Sequence, residues 1–333
     1  MVTIKDIAKL ANVSHTTVSR ALNNSPYIKE HTKKKILELA SQLNYTPNVN
    51  AKSLAMQKSH TIGLFFTSIT NGTSHSFFAD TIKGVNQAIS EEYNLYVRGI
   101  DDLKSYDSVT PMRYDGIILM SQSDIDNSFI YHIREKKIPL VVLNRDIDDR
   151  GITNILSNDK EGSQEAVEYL IKNGHQDIAI IEGIEGFKSS QQRKEGYLAA
   201  LIRHHIPIKR EYSVKGQYDM ESGFQAMERL LALPNTPTAV FCSNDDMAIG
   251  AMNAIFAKGM RVPDDISVIG FDDIGFSQYI TPRLSTVKRP VEKISVLGAK
   301  KLLALISTPD TKAEKIFENT EFMVRDSVKD ITT

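Results

Sequence analysis

Residues 2–23 read Val2-Thr-Ile-Lys-Asp-Ile-Ala-Lys-Leu-Ala-Asn-Val-Ser-His-Thr-Thr-Val-Ser-Arg-Ala-Leu-Asn23. Ile4, Ile7, Ala8 and Ala11 recur at i, i+3, i+4 and i+7, one face of a helix. Asn12-Val13-Ser14 reads as a turn, and Ser14 can cap the helix that follows. Thr17 to Leu22 continue it, with Val18, Ala21 and Leu22 on one side. Ala8 is small where the second helix must cross. Two short helices and a tight turn predict a helix-turn-helix. The face left outside carries His15, Thr16, Thr17, Ser19 and Arg20. Short polar groups near a helix N-terminus, with an arginine that pairs with guanine or phosphate, suit the major groove of duplex DNA. Thr3, Asn23, Lys29 and Thr32 suit the phosphate backbone and would set register.

Working outward, Ser25-Pro26 breaks the chain. His31 to Leu43 read as a third helix with Ile36, Leu39, Ala40 and Leu43 inward and Lys33, Lys34 and Lys35 solvated. Pro47 ends it. Residues 44–59 join this module to the rest, and a short helix carrying Ala51, Leu54 and Ala55 is expected there. Such a segment is too short to be stable alone in water and would form on a partner. Residues 1–60 hold nine Lys/Arg and three acids, a surplus of six positive charges, which leaves the remainder of this net −1 chain at −7. A basic module on an acidic body points to a polyanion partner for the module only.

The texture changes at His60. Runs at 61–67, 95–100, 116–120, 139–144, 177–182, 238–243 and 266–271 read as strands. Helical stretches near 77–91, 127–136, 160–173, 190–204, 220–232, 246–257 and 290–306 intervene. Alternating elements of this kind make parallel sheets covered by helices, and about ten strands suit two sheets better than one. Ligands of such sheets sit beyond the carboxyl ends of the strands. The 333 residues suggest two or three domains, and 41% hydrophobic with 24% charged residues is an ordinary globular mix. The one cysteine, Cys242, excludes an intrachain disulfide and a cysteine zinc cage. No apolar run approaches the ~20 residues of a membrane span, and the start is not a signal peptide. A cytoplasmic protein is expected.

The opening run, with Leu43-Asn-Tyr-Thr-Pro-Asn48 and Ala51-Lys-Ser-Leu-Ala55, resembles the N-terminal signature and hinge of the LacI/GalR family of bacterial repressors. The likeness extends through Ile138-Pro-Leu-Val-Val-Leu-Asn-Arg145, Asn173-Gly-His-Gln-Asp-Ile-Ala179, Arg193-Lys-Glu-Gly-Tyr197, Cys242-Ser-Asn-Asp-Asp246 and Val268-Ile-Gly-Phe-Asp-Asp273. It implies an all-α helix-turn-helix head over 1–46, a hinge over 47–59, and an α/β two-lobed periplasmic-binding-protein-like effector domain over 60–330. Lobe one would span about 60–158 plus 288–317, and lobe two about 159–287 plus 318–330. A homodimer or tetramer would grip a near-palindromic operator, the dimer being preferred because no leucine heptad follows residue 330. Ser14, Asn48 and Ala51 join the DNA-facing set, and Leu54 matches the leucine that wedges open the central base step. His15 and Thr16 occupy the positions that choose operator sequence.

By the same resemblance, a small ligand binds between the lobes at Phe77, Phe78, Asn144, Arg145, Arg193, Tyr218, Asn244 and Asp272. Asn, Arg and Asp with flat aromatic walls suit a carbohydrate. Only one of Phe77 and Phe78 is expected to face the ligand. Members of the family often carry an acid where Asn144 stands. The implied function is a repressor of carbohydrate-utilisation genes, released or tightened by a sugar, with no cofactor, no metal and no catalytic residue. Whether a phosphocarrier protein acts as corepressor stays open. Asp245, Asp246, Asp273, Cys242 and the histidines at 60, 75, 175, 204 and 205 read as structural. Two other classes fit the sequence less well. An enzyme on a doubly wound fold lacks support, since no dinucleotide loop, P-loop or nucleophile elbow is present. A transport component without DNA regulation would not need the basic head.

Overall fold

The computed structural model describes residues 2–22, 24–45, 58–89 and 91–332. The chain divides into two compact units, Met1–Ser59 and His60–Thr333. In the first, α1 (Ile4–Ala11), α2 (His15–Leu22) and α3 (Glu30–Gln42) enclose a small core of Ile7, Ala8, Ala11, Val18, Ala21, Ile36 and Ala40. Asp6 accepts both the backbone N–H and the hydroxyl of Thr3, at 2.8 and 2.7 Å, and anchors the start of α1. Asn12 ends α1 in the left-handed region at φ 56°, where asparagine is tolerated. Ser14 Oγ accepts the Thr17 N–H at 3.1 Å and caps α2. Lys35 is not simply solvated: its Nζ donates to the Ala11 carbonyl at 3.3 Å, where the negative end of α1 favours a cation. The hinge residues Asn48, Ala51 and Leu54, and Asn23, lie outside the described residues.

The second unit holds two six-stranded sheets. The first comprises β1 (Thr61–Phe66), β2 (Asn94–Gly99), β3 (Gly116–Met120), β4 (Leu140–Leu143) and β5 (Thr153–Ser157), with β11 (Lys315–Glu318) returning late in the chain. Their order is β11-β5-β4-β3-β1-β2, all parallel. One face packs on α4 (His75–Ala88) and α10 (Val291–Ser307), the other on α5 (Asn127–Glu135). Every residue of β3 and β4 is buried, as central parallel strands require.

The second sheet comprises β6 (Ile178–Glu182), β7 (Ser213–Lys215), β8 (Ala239–Cys242), β9 (Ser267–Asp272), β10 (Ser285–Lys288) and β12 (Glu321–Met323). Their order is β12-β10-β9-β8-β6-β7, with β12 alone antiparallel. Helices α6 (Asp159–Lys172) and α7 (Lys188–Arg203) cover one face, and α8 (Met220–Leu231) with α9 (Asp245–Ala257) the other. The chain crosses between the lobes three times, after β5, β10 and β11. β10 keeps Lys288 in the second sheet and β11 keeps Glu318 in the first, one residue beyond the boundaries read from the sequence.

Helices α8 and α9 pack at backbone distance. A Cβ at Gly250 would lie 2.0 Å from the Met220 carbonyl oxygen, and one at Gly223 2.2 Å from that of Met247. No flexible side chain can give way at either point, so glycine is required by the close approach. Gly275, by contrast, faces open space. Gly250→Ala is therefore expected to destabilise by about 1–3 kcal/mol, the range for overpacking a filled interior. Gly275→Ala should leave the melting temperature unchanged, and parallel thermal melts check both.

Candidate functional site

On the first unit, Thr3, Ser14, His15, Thr16, Arg20 and Lys29 are exposed, while Thr17, Ser19 and Thr32 are half-buried. Ser14 and Thr17 share a hydroxyl contact at 2.8 Å, so the cap that starts α2 also orients its first polar groups. Positions 14–20 thus present one polar face, with Val18 turned to the core.

In the second unit, a cavity lies between the lobes, where the carboxyl ends of both sheets face each other. Lobe one contributes Gly72, Ser74, Phe77, Gln122 and Asn144. Lobe two contributes Ser189, Arg193, Tyr218, Asn244 and Asp272, and Arg289 enters from the crossing after β10. Six of the eight predicted ligand residues are brought together here. Phe78 is not among the lining: it packs 5.2 Å from Phe66 in the lobe-one core. Arg145 is not there either. Its guanidinium is buried and spent inside lobe one, on Ser121, Asp124 and Asn127, each at 2.7 Å. Adjacent residues after β4 leave the strand in opposite directions, so Asn144 reaches the cavity and Arg145 turns away.

The lining is tied by a buried charge cluster. Asp159 accepts from Arg193 Nε at 3.0 Å, lies 3.4 Å from Arg289 Nε, and takes the Ser157 hydroxyl. Arg193 also donates to Asp272 at 3.2 Å and to the Ser243 carbonyl, and its guanidinium stacks 3.8 Å from the Phe271 ring. Arg289 donates to Ser157 at 3.0 Å and to Asn144, and lies 5.4 Å from the Phe77 ring. Burial opposes the Asp159 charge, yet Arg289 and Arg193 outweigh it and hold its carboxyl below the usual range. For Asp272 burial wins over the same two arginines, and its carboxyl is pushed up. Arg193 stays protonated because Asp272 and Asp159 more than offset its burial.

Three lining residues hold left-handed backbones: Asn144 at φ 76°, Tyr218 at 66° and Asp272 at 108°. Such conformations cost energy and persist only where the surroundings enforce them. Tyr218 is fixed through its hydroxyl on Ser190 at 2.6 Å, and its carbonyl accepts from Asn244 at 3.0 Å. Asn244 caps α9 through the Met247 N–H at 2.9 Å, so capping and lining are combined in one side chain. The next residue, Asp245, is wholly buried. It accepts from the Ile274 N–H at 2.8 Å and the Ser277 and Thr286 hydroxyls at 2.7 and 2.5 Å, and burial pushes its carboxyl up to about 7.

The lobes are closed on each other. The cavity between them is small, about 20 Å³, and partly open to solvent. The Lys188 N–H donates to the Gln122 carbonyl at 2.9 Å, Ser123 bridges to Phe187, and Asp124 pairs with Lys188 at 3.0 Å and Arg145 at 2.7 Å. Arg145 is therefore a positioning residue of the interlobe contact.

Sequence reasoning missed Gln122, Ser189 and Arg289. Gln122 and Arg289 follow strand ends, and the β-branched pair Thr286-Val287 before Arg289 is the available signal. Among the described residues, no group of His, Cys, Asp and Glu could hold a metal ion, and no helix is long and apolar enough to cross a membrane.

A helix-turn-helix head followed in one chain by two α/β lobes with a polar cavity between them is the plan of a DNA-binding regulator. The chain belongs to the lacI family of bacterial regulatory proteins. That family's model matches residues 3–48, and that of a periplasmic binding protein-like domain matches residues 167–328. It is 94% identical, over the full length of both chains, to a probable HTH-type transcriptional repressor ExuR of Bacillus subtilis (strain 168). It is 34% identical to the HTH-type transcriptional repressor PurR of Mannheimia succiniciproducens, over 99% of this chain and all of the relative. Among solved structures, the lac repressor dimer bound to operator and the anti-inducer ONPF matches with a TM-score of 0.85 and 27% identity, covering 98% of this chain and 99% of that one. The transcriptional regulator CelR in complex with cellobiose matches at 0.75 and 26%, covering 98% and 100%. The protein is a transcriptional repressor and not an enzyme.

Asp159→Ala leaves two buried arginines short of their shared partner and is expected to cost about 3–5 kcal/mol in urea denaturation. Asp245 behaves in the opposite sense with pH. Its folded pKa lies above its unfolded value of about 4, so the folded protein holds the extra proton between about pH 4 and pH 7. Stability from this group is present at low pH and is lost as pH rises through that window. Melts from pH 5 to 7.5 should show a weaker pH dependence for Asp245→Asn than for the native chain.

Proposed function

We propose that this repressor acts in the cytoplasm as a homodimer on a palindromic operator, and that a small carbohydrate in the interlobe cavity sets its affinity for DNA. The observation that carries the reading is the union, in one chain, of the polar α2 face with a cavity lined by Asn144, Arg193, Tyr218, Asn244 and Asp272. On DNA, His15, Thr16, Thr17, Ser19 and Arg20 read base edges or phosphates, while Thr3, Ser14, Lys29 and Thr32 hold the backbone. In the cavity, directional polar groups meet ring hydroxyls and Phe77 and Tyr218 supply flat walls.

The related structures support this with their own partners: operator DNA and the anti-inducer ONPF for the lac repressor, cellobiose for CelR, and ribose for a regulator from Enterococcus faecium. With the lobes joined through Gln122, Ser123 and Asp124, a sugar bound between them acts on the interlobe geometry. Coupling is reciprocal, and operator DNA must change sugar affinity by the same factor.

The test is fluorescence anisotropy on duplexes enriched from random DNA. Affinity should fall steeply with salt, and Arg20→Ala should cost about 1–3 kcal/mol if it reads a base. A panel of neutral and charged mono- and disaccharides should then include one that shifts operator affinity. Salt-insensitive binding without sequence preference would overturn the DNA reading, and a panel that shifts nothing would overturn the carbohydrate reading.

A further inference from the structure

Several polar groups that line the interlobe cavity already bond to other parts of the chain. Arg193 bonds through all three guanidinium nitrogens. Asn144 gives its amide to the Ser121 carbonyl at 2.8 Å and takes Arg289 on its oxygen. Asn244 is filled by Tyr218 and Met247.

Gln122 departs from this pattern. It is 5% exposed and lines the cavity, and its Oε1 is buried without a hydrogen-bond partner. The amide cannot be turned to hide this. Its Nε2 donates to the Gly72 carbonyl at 3.1 Å, and reversing the group would set oxygen against oxygen. The side chain is held through Nε2, and its backbone is bonded on both sides. The Gln122 N–H donates to Thr67 Oγ1 at 2.8 Å, and its carbonyl accepts the Lys188 N–H of lobe two. A buried acceptor that is oriented and unfilled on the wall of the cavity calls for a donor from outside the chain.

We propose that Gln122 is a specificity-determining residue of the repressor, whose Oε1 accepts a hydrogen bond from one hydroxyl of the bound carbohydrate. The inference rests on the carbohydrate reading above and adds the chemistry at one point: the ligand must present a donor there. A ligand with an ether oxygen or a methylene at that point leaves the acceptor unpaired, so Gln122 discriminates by presence or absence of a donor. Its carbonyl bonds Lys188, so the residue that meets the hydroxyl also belongs to the contact that joins the lobes.

Gln122→Met keeps the volume and removes the acceptor. Thermal melts of both full-length proteins without sugar form the first arm. The variant also loses the Nε2 bond to the Gly72 carbonyl, so a fall of a few degrees is expected, as for one hydrogen bond. A variant that no longer unfolds cooperatively would make Gln122 a structural residue and overturn the proposal. In the second arm, the same saccharide panel is titrated against both, and the panel member that binds is repeated as its monodeoxy analogues. The parent sugar should bind the variant about tenfold more weakly, as for loss of one hydrogen bond. One deoxy analogue should lose affinity for the native protein and show no such loss in the variant, which names the hydroxyl. If every deoxy penalty is the same in both proteins, Gln122 does not read the ligand. If the native protein binds no sugar in the panel, the carbohydrate reading fails first, and this proposal with it.

Discussion

The structure depends on one buried carboxylate. Asp159 begins α6 just after the first crossing between the lobes, and it meets Arg193 from α7 and Arg289 from the second crossing. A lone carboxylate in that position would be neutralised or expelled. Two guanidinium groups and the Ser157 hydroxyl keep it charged. In return it fixes both arginines, and through them Asn144 and Asp272. Residues from the ends of strands in both sheets are thereby held to one point at the base of the cavity. The cluster is a poor source of net stability, because desolvation offsets attraction, but it is a strong source of position.

Around that point the backbone is strained where it serves the cavity. Asn144, Tyr218 and Asp272 all lie at positive φ, and each is anchored by a neighbour that has a structural duty of its own. Asn244 caps a helix while lining the cavity, and Asp124 joins Lys188 across the lobes while Arg145 steadies it. Many side chains thus line the cavity and hold the fold at once, so the lining is fixed before any ligand meets it.

The helix-turn-helix was legible because its periodicity, cap and turn are local: Ile7, Ala8, Ala11, Val18 and Ala21 form the core that the spacing predicts. The seven strands read from the sequence all exist. The five that were not read, at 153–157, 213–215, 285–288, 315–318 and 321–323, are short and lie towards or at the sheet edges. Runs of three to five residues carry too little periodicity, and pairing with a neighbour strand makes them strands. Missing β10 hid Arg289, which follows it. Arg145 was misplaced because its neighbour Asn144 does face the cavity, and which of two adjacent side chains does so is set by a backbone turn invisible in composition.

The sequence by itself determined the head, the alternation of elements, the two-sheet plan and most of the residues gathered at the cavity, since each rests on local pattern or on ordered motifs. Only the tertiary structure decided that Asp159 and Arg289 complete the charge cluster, that Arg145 serves the interlobe contact, and that Gln122 keeps an unfilled acceptor. Those outcomes depend on groups far apart in sequence, such as Arg289 and Asn144, 145 residues from each other. Such pairs are chosen by packing and desolvation in the folded chain, where every buried donor and acceptor must be accounted for.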